Sequence, residues 1–188
     1  MRHVEQRQRD RKWGRASALH DTRRATCGSP CMPFGRPRRL DAFGYAGFYR
    51  YHVRIATWNR VRHFTDGELA GMARERLLTC ADTYELAVNA YCFMPDHVHL
   101  LLAGRCPDAR LRMFVGAWKQ NTGYAFTRMR TGARLWQPSY FERVLRDVEG
   151  NETVARYILE NPVRAGLVGR VGEYPYAWCA WALGDLQG

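Results

Sequence analysis

Apolar and polar residues alternate along 48–58 (Phe-Tyr-Arg-Tyr-His-Val-Arg-Ile-Ala-Thr-Trp), an aromatic and β-branched run that predicts a first strand. Alternation sends Val53 and Ile55 to the core face, and His52, Arg54 and Ala56 to the opposite face. The period then lengthens. Thr65-Asp66-Gly67-Glu68 has the form of a capping box, and Leu69, Met72, Ala73, Arg76, Leu77 and Cys80 follow at helical spacing. Two strands are expected at 85–93 and 97–103, and their short link, which holds Pro95, makes them an antiparallel hairpin. A second helix opens at Pro107-Asp108 and runs to Arg130, with Leu111, Phe114, Val115, Trp118, Thr122 and Ala125 in period. Residues 139–146 read as a fourth strand. Asn151 caps a third helix that ends at Glu160, where Asn161-Pro162 stops it. The tail, 163–183, is turn-rich and aromatic and should pack back on the domain.

This order of elements predicts an α+β fold, a split β-α-β sandwich of ferredoxin-like or RRM-like type. Its four-stranded antiparallel sheet carries two helices on one face, and a C-terminal helix is added. The other face is expected to be open. The domain spans 45–183, preceded by a leader at 1–44 and followed by a short tail at 184–188.

Within the third strand, His97 and His99 are two apart and share a face, while Val98, Leu100 and Leu102 point the other way into the core. Paired imidazoles on a stiff strand can ligate a metal, although the spacing alone fits two incidental histidines equally well. On the third helix, Tyr157 and Asn161 are four apart and project together. Two imidazoles and an amide oxygen could hold one Mn²⁺ or Mg²⁺ with positions left open for phosphate oxygens, imidazole favouring Mn²⁺. Tyr157 would then be a nucleophile one turn away. Taken alone, Tyr157 also reads as a core tyrosine, with Asn161 as helix-ending punctuation.

Charge narrows the partner. The chain is 46% hydrophobic, as a globular domain requires, and carries a net charge of +11, mostly from arginine. That balance points to a polyanion, nucleic acid before an anionic membrane. Positions 1–40 hold eleven Arg/Lys against three acids, a net +8. The leader reads either as a basic arm on nucleic acid or as an unstructured extension ahead of a start at Met32. Its removal is expected to weaken DNA binding in a salt-dependent way, more at low salt than at high, and to leave chemistry intact, which binding and cleavage assays at two ionic strengths would check. Candidate DNA contacts are Arg54 beside His52, Lys119 and Gln120 beside Trp118, Arg128, Arg130 and Arg134 near a glycine turn, and Arg164 after Asn161-Pro162. No apolar run is long enough to span a membrane, and the N-terminus lacks a secretion signal, so a cytoplasmic, nucleoid-associated protein is expected. The six scattered cysteines include no Cys-x-x-Cys and read as free thiols.

Met94-Pro-Asp-His97-Val-His99-Leu-Leu-Leu resembles the HUH motif (His, bulky apolar, His) of single-tyrosine transposases. Trp136-Gln-Pro-Ser-Tyr-Phe-Glu-Arg-Val, followed by Tyr157-Ile-Leu-Glu-Asn161-Pro-Val-Arg-Ala-Gly-Leu-Val, is similar to the end of the REP-associated tyrosine transposase branch. The resemblance covers residues 42–178. It implies a metal-dependent single-stranded DNA endonuclease and strand transferase acting at imperfect hairpins. Its nucleophile falls on Tyr157, its two motif histidines on His97 and His99, and its third ligand on Asn161. The implied product is a 5′-phosphotyrosine and a free 3′-OH, made without ATP by a monomer or homodimer. The long arginine-rich leader departs from the family's core. Asp96, just ahead of the histidines, could orient the site or only shape the turn. Two other readings stay open: a non-catalytic nucleic-acid-binding module on the same sheet, and a metal hydrolase that uses water.

Overall fold

The computed structural model describes residues 44–130, 133–146 and 150–181. The expected leader and tail, with Cys27, Cys31, Thr131 and Gly132, lie outside them. Five strands form one antiparallel sheet: β1 (Arg50–Ala56), β2 (Leu86–Met94), β3 (His97–Gly104), β4 (Phe141–Val144) and β5 (Ala177–Cys179). Their order is β4-β1-β3-β2-β5. The expected α+β sandwich is present, with one strand more than the sequence predicted. β5 comes from the aromatic tail. It pairs with β2 from Ala90↔Cys179 to Cys92↔Ala177, and Tyr174 Oη donates to the Phe93 carbonyl at 2.9 Å.

Two helices, α1 (Gly67–Thr83) and α2 (Leu111–Met129), cover one face. Tyr51, Val53 and Ile55 of β1 and Val98, Leu100 and Leu102 of β3 meet them in a single apolar core. The buried Trp118 indole donates to the Ala73 carbonyl at 3.0 Å, and Trp136 donates to Thr122 Oγ1 at 2.7 Å, so the two large rings leave no orphaned N–H. Asp66, not Thr65, caps α1, its carboxylate accepting from the amides of Glu68 and Leu69. Arg76 faces solvent, and Ala70 and Ala81 take the stripe instead. The second helix starts at Leu111 because Pro107-Asp108 is spent in a turn before it.

The third helix, α3 (Asn151–Arg164), departs most from expectation. It does not stop at Glu160 but runs through Pro162. Proline at that position cannot donate to the Ile158 carbonyl four residues back. The Asn161 side chain does so instead: its Nδ2 donates to Ile158 O at 3.2 Å and to Tyr157 O at 2.8 Å. The N-cap is Gly150 rather than Asn151. Asn151 accepts from Arg50 Nη1 at 3.3 Å, which ties the helix start to β1.

Helix α3 also roofs the sheet face expected to be open. Ala155 and Ile158 pack on Ala90, Cys92, Met94 and Leu101, forming a second apolar cluster with Leu145. The histidine face is therefore an interior.

One close approach is absolute. A Cβ on Gly104 would sit 1.8 Å from the Gly47 carbonyl oxygen. Gly104→Ala is expected to cost about 1–3 kcal/mol by overpacking, seen as a lower urea midpoint at unchanged slope.

Candidate active site

β3 is the central strand of the sheet, paired with β1 on one side and β2 on the other. Ala56 and Met94 flank His97, and Arg54 and Cys92 flank His99. Both imidazoles point to the α3 face. His99 is 2% exposed, and His97 is half-buried at the rim. Their Nε2 atoms are 3.1 Å apart. Two cis ligands about 2.1–2.2 Å from one ion are separated by ~3.0–3.1 Å, so the pair is spaced for a shared cation.

Each imidazole is held from behind. Asp96 Oδ1 lies 2.6 Å from His97 Nδ1, so that nitrogen carries the proton and Nε2 presents its lone pair. Asp96 therefore braces His97 as well as shaping the turn. Its other oxygen accepts from Arg60 Nη1 at 3.2 Å. The turn that brings Arg60 there has left-handed backbone at Asn59 (φ 51°) and Arg60 (φ 57°). Burial acts to raise the Asp96 carboxyl, but the hydrogen bond and charge of His97, with Arg60, outweigh it and hold the pKa below the ordinary value. Behind His99 stands His52, with Nε2 3.0 Å from His99 Nδ1 and the two rings stacked at 5.3 Å. Cys92, next to His99 on β2, remains a thiol because burial pushes it up to about 12.

Tyr157 reaches the same point from α3 of the same chain. Its ring meets His99 edge-on at 6.0 Å and His52 at 5.9 Å between centroids. The ring is 39% exposed, so one side stays open to a substrate. The Arg164 guanidinium sits 5.1 Å over it. Asn161 lies one turn along, with its amide nitrogen committed to the helix backbone, so that its oxygen is the atom a cation could use. Among the described residues no three His, Cys, Asp or Glu side chains converge as a metal cluster. A cation on the imidazole pair would therefore need a ligand of another type, the place the sequence expects Asn161 to fill.

The candidate DNA contacts divide by location. Arg54 lies over Phe141 at 5.8 Å on the histidine face. Arg134 stacks 4.5 Å over Trp58, just past the β1 end that pairs with His97. Gln120 and Arg128 are exposed on α2, on the far side of the sheet from the histidines. Arg130, at the end of α2, pairs with Asp66 at 2.6 Å. Lys119 is spoken for: its Nζ donates to the carbonyls of Gln137 (2.7 Å), Pro138 (2.9 Å) and Ser139 (3.5 Å), fastening the approach to β4.

Acid should open this interior. Burial first, then the charges of Arg143 and Arg54, push His52 from 6.5 down to about 4. His99 is also held well below 6.5, by burial first and then by His97 and His52. The unfolded chain binds protons that the native chain refuses between these values. Stability is therefore whole above the unfolded pKa and falls as pH drops toward the folded one. For His52 alone the loss is about 3 kcal/mol, and His99 adds to it in the same direction. Urea midpoints of the metal-free protein at pH 7.5 and 4.5 measure the difference, and His52→Gln should shrink it.

The comparisons agree with this fold. The family model "Transposase IS200 like" matches residues 48–161. A REP-associated tyrosine transposase of Escherichia coli K12 is 23% identical over 137 residues, covering 69% of this chain and 80% of that protein. A putative REP-associated tyrosine transposase of Haemophilus influenzae is 30% identical over 137 residues, covering 68% and 77%. The solved structure of a REP-associated tyrosine transposase bound to a REP hairpin superposes with a TM-score of 0.61 at 20% identity, over 71% of this chain and 78% of that one. The chain belongs to the IS200-like transposase family and is similar to its REP-associated tyrosine members.

Proposed function

We propose that this transposase cuts and rejoins single-stranded DNA at hairpins through a covalent link to Tyr157. The observation that carries the reading is the meeting of the Tyr157 ring with His99, beside two imidazole nitrogens 3.1 Å apart, all within one chain. His97, His99 and the Asn161 oxygen would hold the ion. Bound there, Mn²⁺ or Mg²⁺ supplies Lewis-acid neutralisation of charge on the phosphate oxygens. The Tyr157 oxygen bonds to phosphorus as the P–O3′ bond breaks. The phenolic proton is released, and the leaving oxygen takes one up to become a 3′-OH. The 5′-phosphotyrosine keeps the ester, so attack by another 3′-OH rejoins strands with no nucleotide consumed.

Of the expected DNA contacts, Arg54 lies on the histidine face, Arg164 over the Tyr157 ring and Arg134 on Trp58; these three would track the phosphate backbone, with Trp58 available for base stacking. The hairpin as substrate is carried over from the REP-associated relative solved with one. Incubation of a labelled single-stranded hairpin with Mn²⁺ tests the whole reading. A protein–DNA adduct that survives SDS is the expected result. Cleavage without an adduct would make the enzyme a water-using hydrolase, and binding alone would make the sheet a non-catalytic nucleic-acid platform.

A further inference from the structure

We infer that His52 is a positioning residue: it accepts a hydrogen bond from His99 Nδ1–H and so fixes the tautomer in which His99 offers its Nε2 lone pair to the ion. This rests on His97 and His99 as the cation-holding pair.

The hydrogen-bond chain admits two proton arrangements. In one, His52 Nε2–H donates to His99 Nδ1, and His99 Nε2–H donates to His97 Nε2 across the 3.0 and 3.1 Å contacts. That arrangement satisfies every nitrogen along the chain but fills the cation position with a proton. In the other, His52 carries its proton on Nδ1 and accepts from His99 Nδ1–H. Both Nε2 lone pairs then face one point, which is tolerable only with a cation between them. Asp96 already holds His97 in its ligating form at 2.6 Å. Nothing comparable holds His99 except His52. A buried imidazole with no acceptor behind it has no reason to prefer the ligating tautomer.

The placement is a consequence of register. His52 stands opposite Leu101 on β3, one diagonal step from His99 and on the same face. Stacking at 18° between the two ring planes keeps the nitrogens in line. The same His52 ring touches the edge of Tyr157 and, at 6.4 Å, Phe141. It therefore has packing neighbours of its own, and a variant must separate bulk from hydrogen bonding.

His52→Phe keeps the ring and removes the acceptor, whereas His52→Gln returns an amide oxygen near the place of Nε2. Mn²⁺ affinity without DNA, read from the loss of the free-ion EPR signal, should weaken about 10–100-fold in His52→Phe and stay within about threefold of wild type in His52→Gln. The ¹⁵N spectrum of the wild-type protein saturated with Mg²⁺ should place the His99 proton on Nδ1, a readout that needs no variant to fold. Unchanged Mn²⁺ affinity in His52→Phe, equal weakening in both variants, or a His99 proton on Nε2 with the ion bound would each overturn the inference. If the wild-type protein binds neither ion, the functional reading fails and the inference falls with it, because the Nδ1–H arrangement at His99 is tolerable only with a cation between the two Nε2 atoms.

Discussion

Tyr157→Phe is expected to abolish the covalent adduct and to slow strand cleavage by at least about 10⁴-fold, the scale on which enzymes lose rate when an attacking group is deleted. The substitution is close to surgical. The ring's contacts with His52 and His99 are through its edge, and phenylalanine keeps them. Among the described residues no hydrogen bond of the phenol to another side chain holds α3 in place, whose apolar face is made by Ala155, Ile158, Leu159 and Pro162. Thermal stability and hairpin affinity should therefore stay near wild type while the adduct disappears from an SDS gel. An adduct persisting at wild-type yield would move the nucleophile to another residue; Tyr49 and Tyr124, also exposed, would be tested next.

His97→Ala is expected to reduce Mn²⁺-dependent cleavage by about 10²–10³-fold or more, with hairpin affinity within about twofold of wild type, because the loss falls on charge stabilisation in the transition state. His97 is the cleaner of the two histidines to test. It sits at the rim, and Asp96 keeps Arg60 as a partner when the imidazole is gone. His99→Ala should lose as much activity but also stability, since it empties a buried site and strips His52 of its partner. Cleavage rates across a Mn²⁺ titration, set beside binding by fluorescence anisotropy, check both. Normal cleavage by either variant would show that the imidazoles are not ligands.

The order of elements and the face shared by the two histidines were legible from periodicity because β1 and β3 alternate cleanly. The roof over that face was not read, although a trace of it was present. Leu100, Leu101 and Leu102 are consecutive, and a strand with one open face should not place Leu101 among solvated neighbours. Ala90, Cys92 and Met94 repeat the message on β2, and all four are buried under α3. The end of α3 was misjudged for a different reason. Proline is a reliable stop only when nothing else can satisfy the carbonyl it abandons, and Asn161 satisfies it. The tail strand is three residues long, too short to carry a period. His52 was seen to share the outward face. Its bond to His99 depends on a diagonal register between strands that are 47 positions apart in sequence, which no local pattern encodes.

The substitution of an asparagine amide for a missing proline N–H also complicates any experiment on Asn161. Removing that side chain takes away the proposed ligand oxygen and a donor to the Ile158 carbonyl together, so a helicity measurement beside the activity assay separates the two.

Because α3 lays its tyrosine on the histidines of the chain it belongs to, the proposed mechanism would need only a single polypeptide at each phosphate. The rate of strand scission per molecule should then be independent of protein concentration, down to dilutions at which any dimer has dissociated. One chain can be esterified to only one DNA end at a time, so a product that unites two separately cut ends must come from successive events on one molecule or from two molecules meeting.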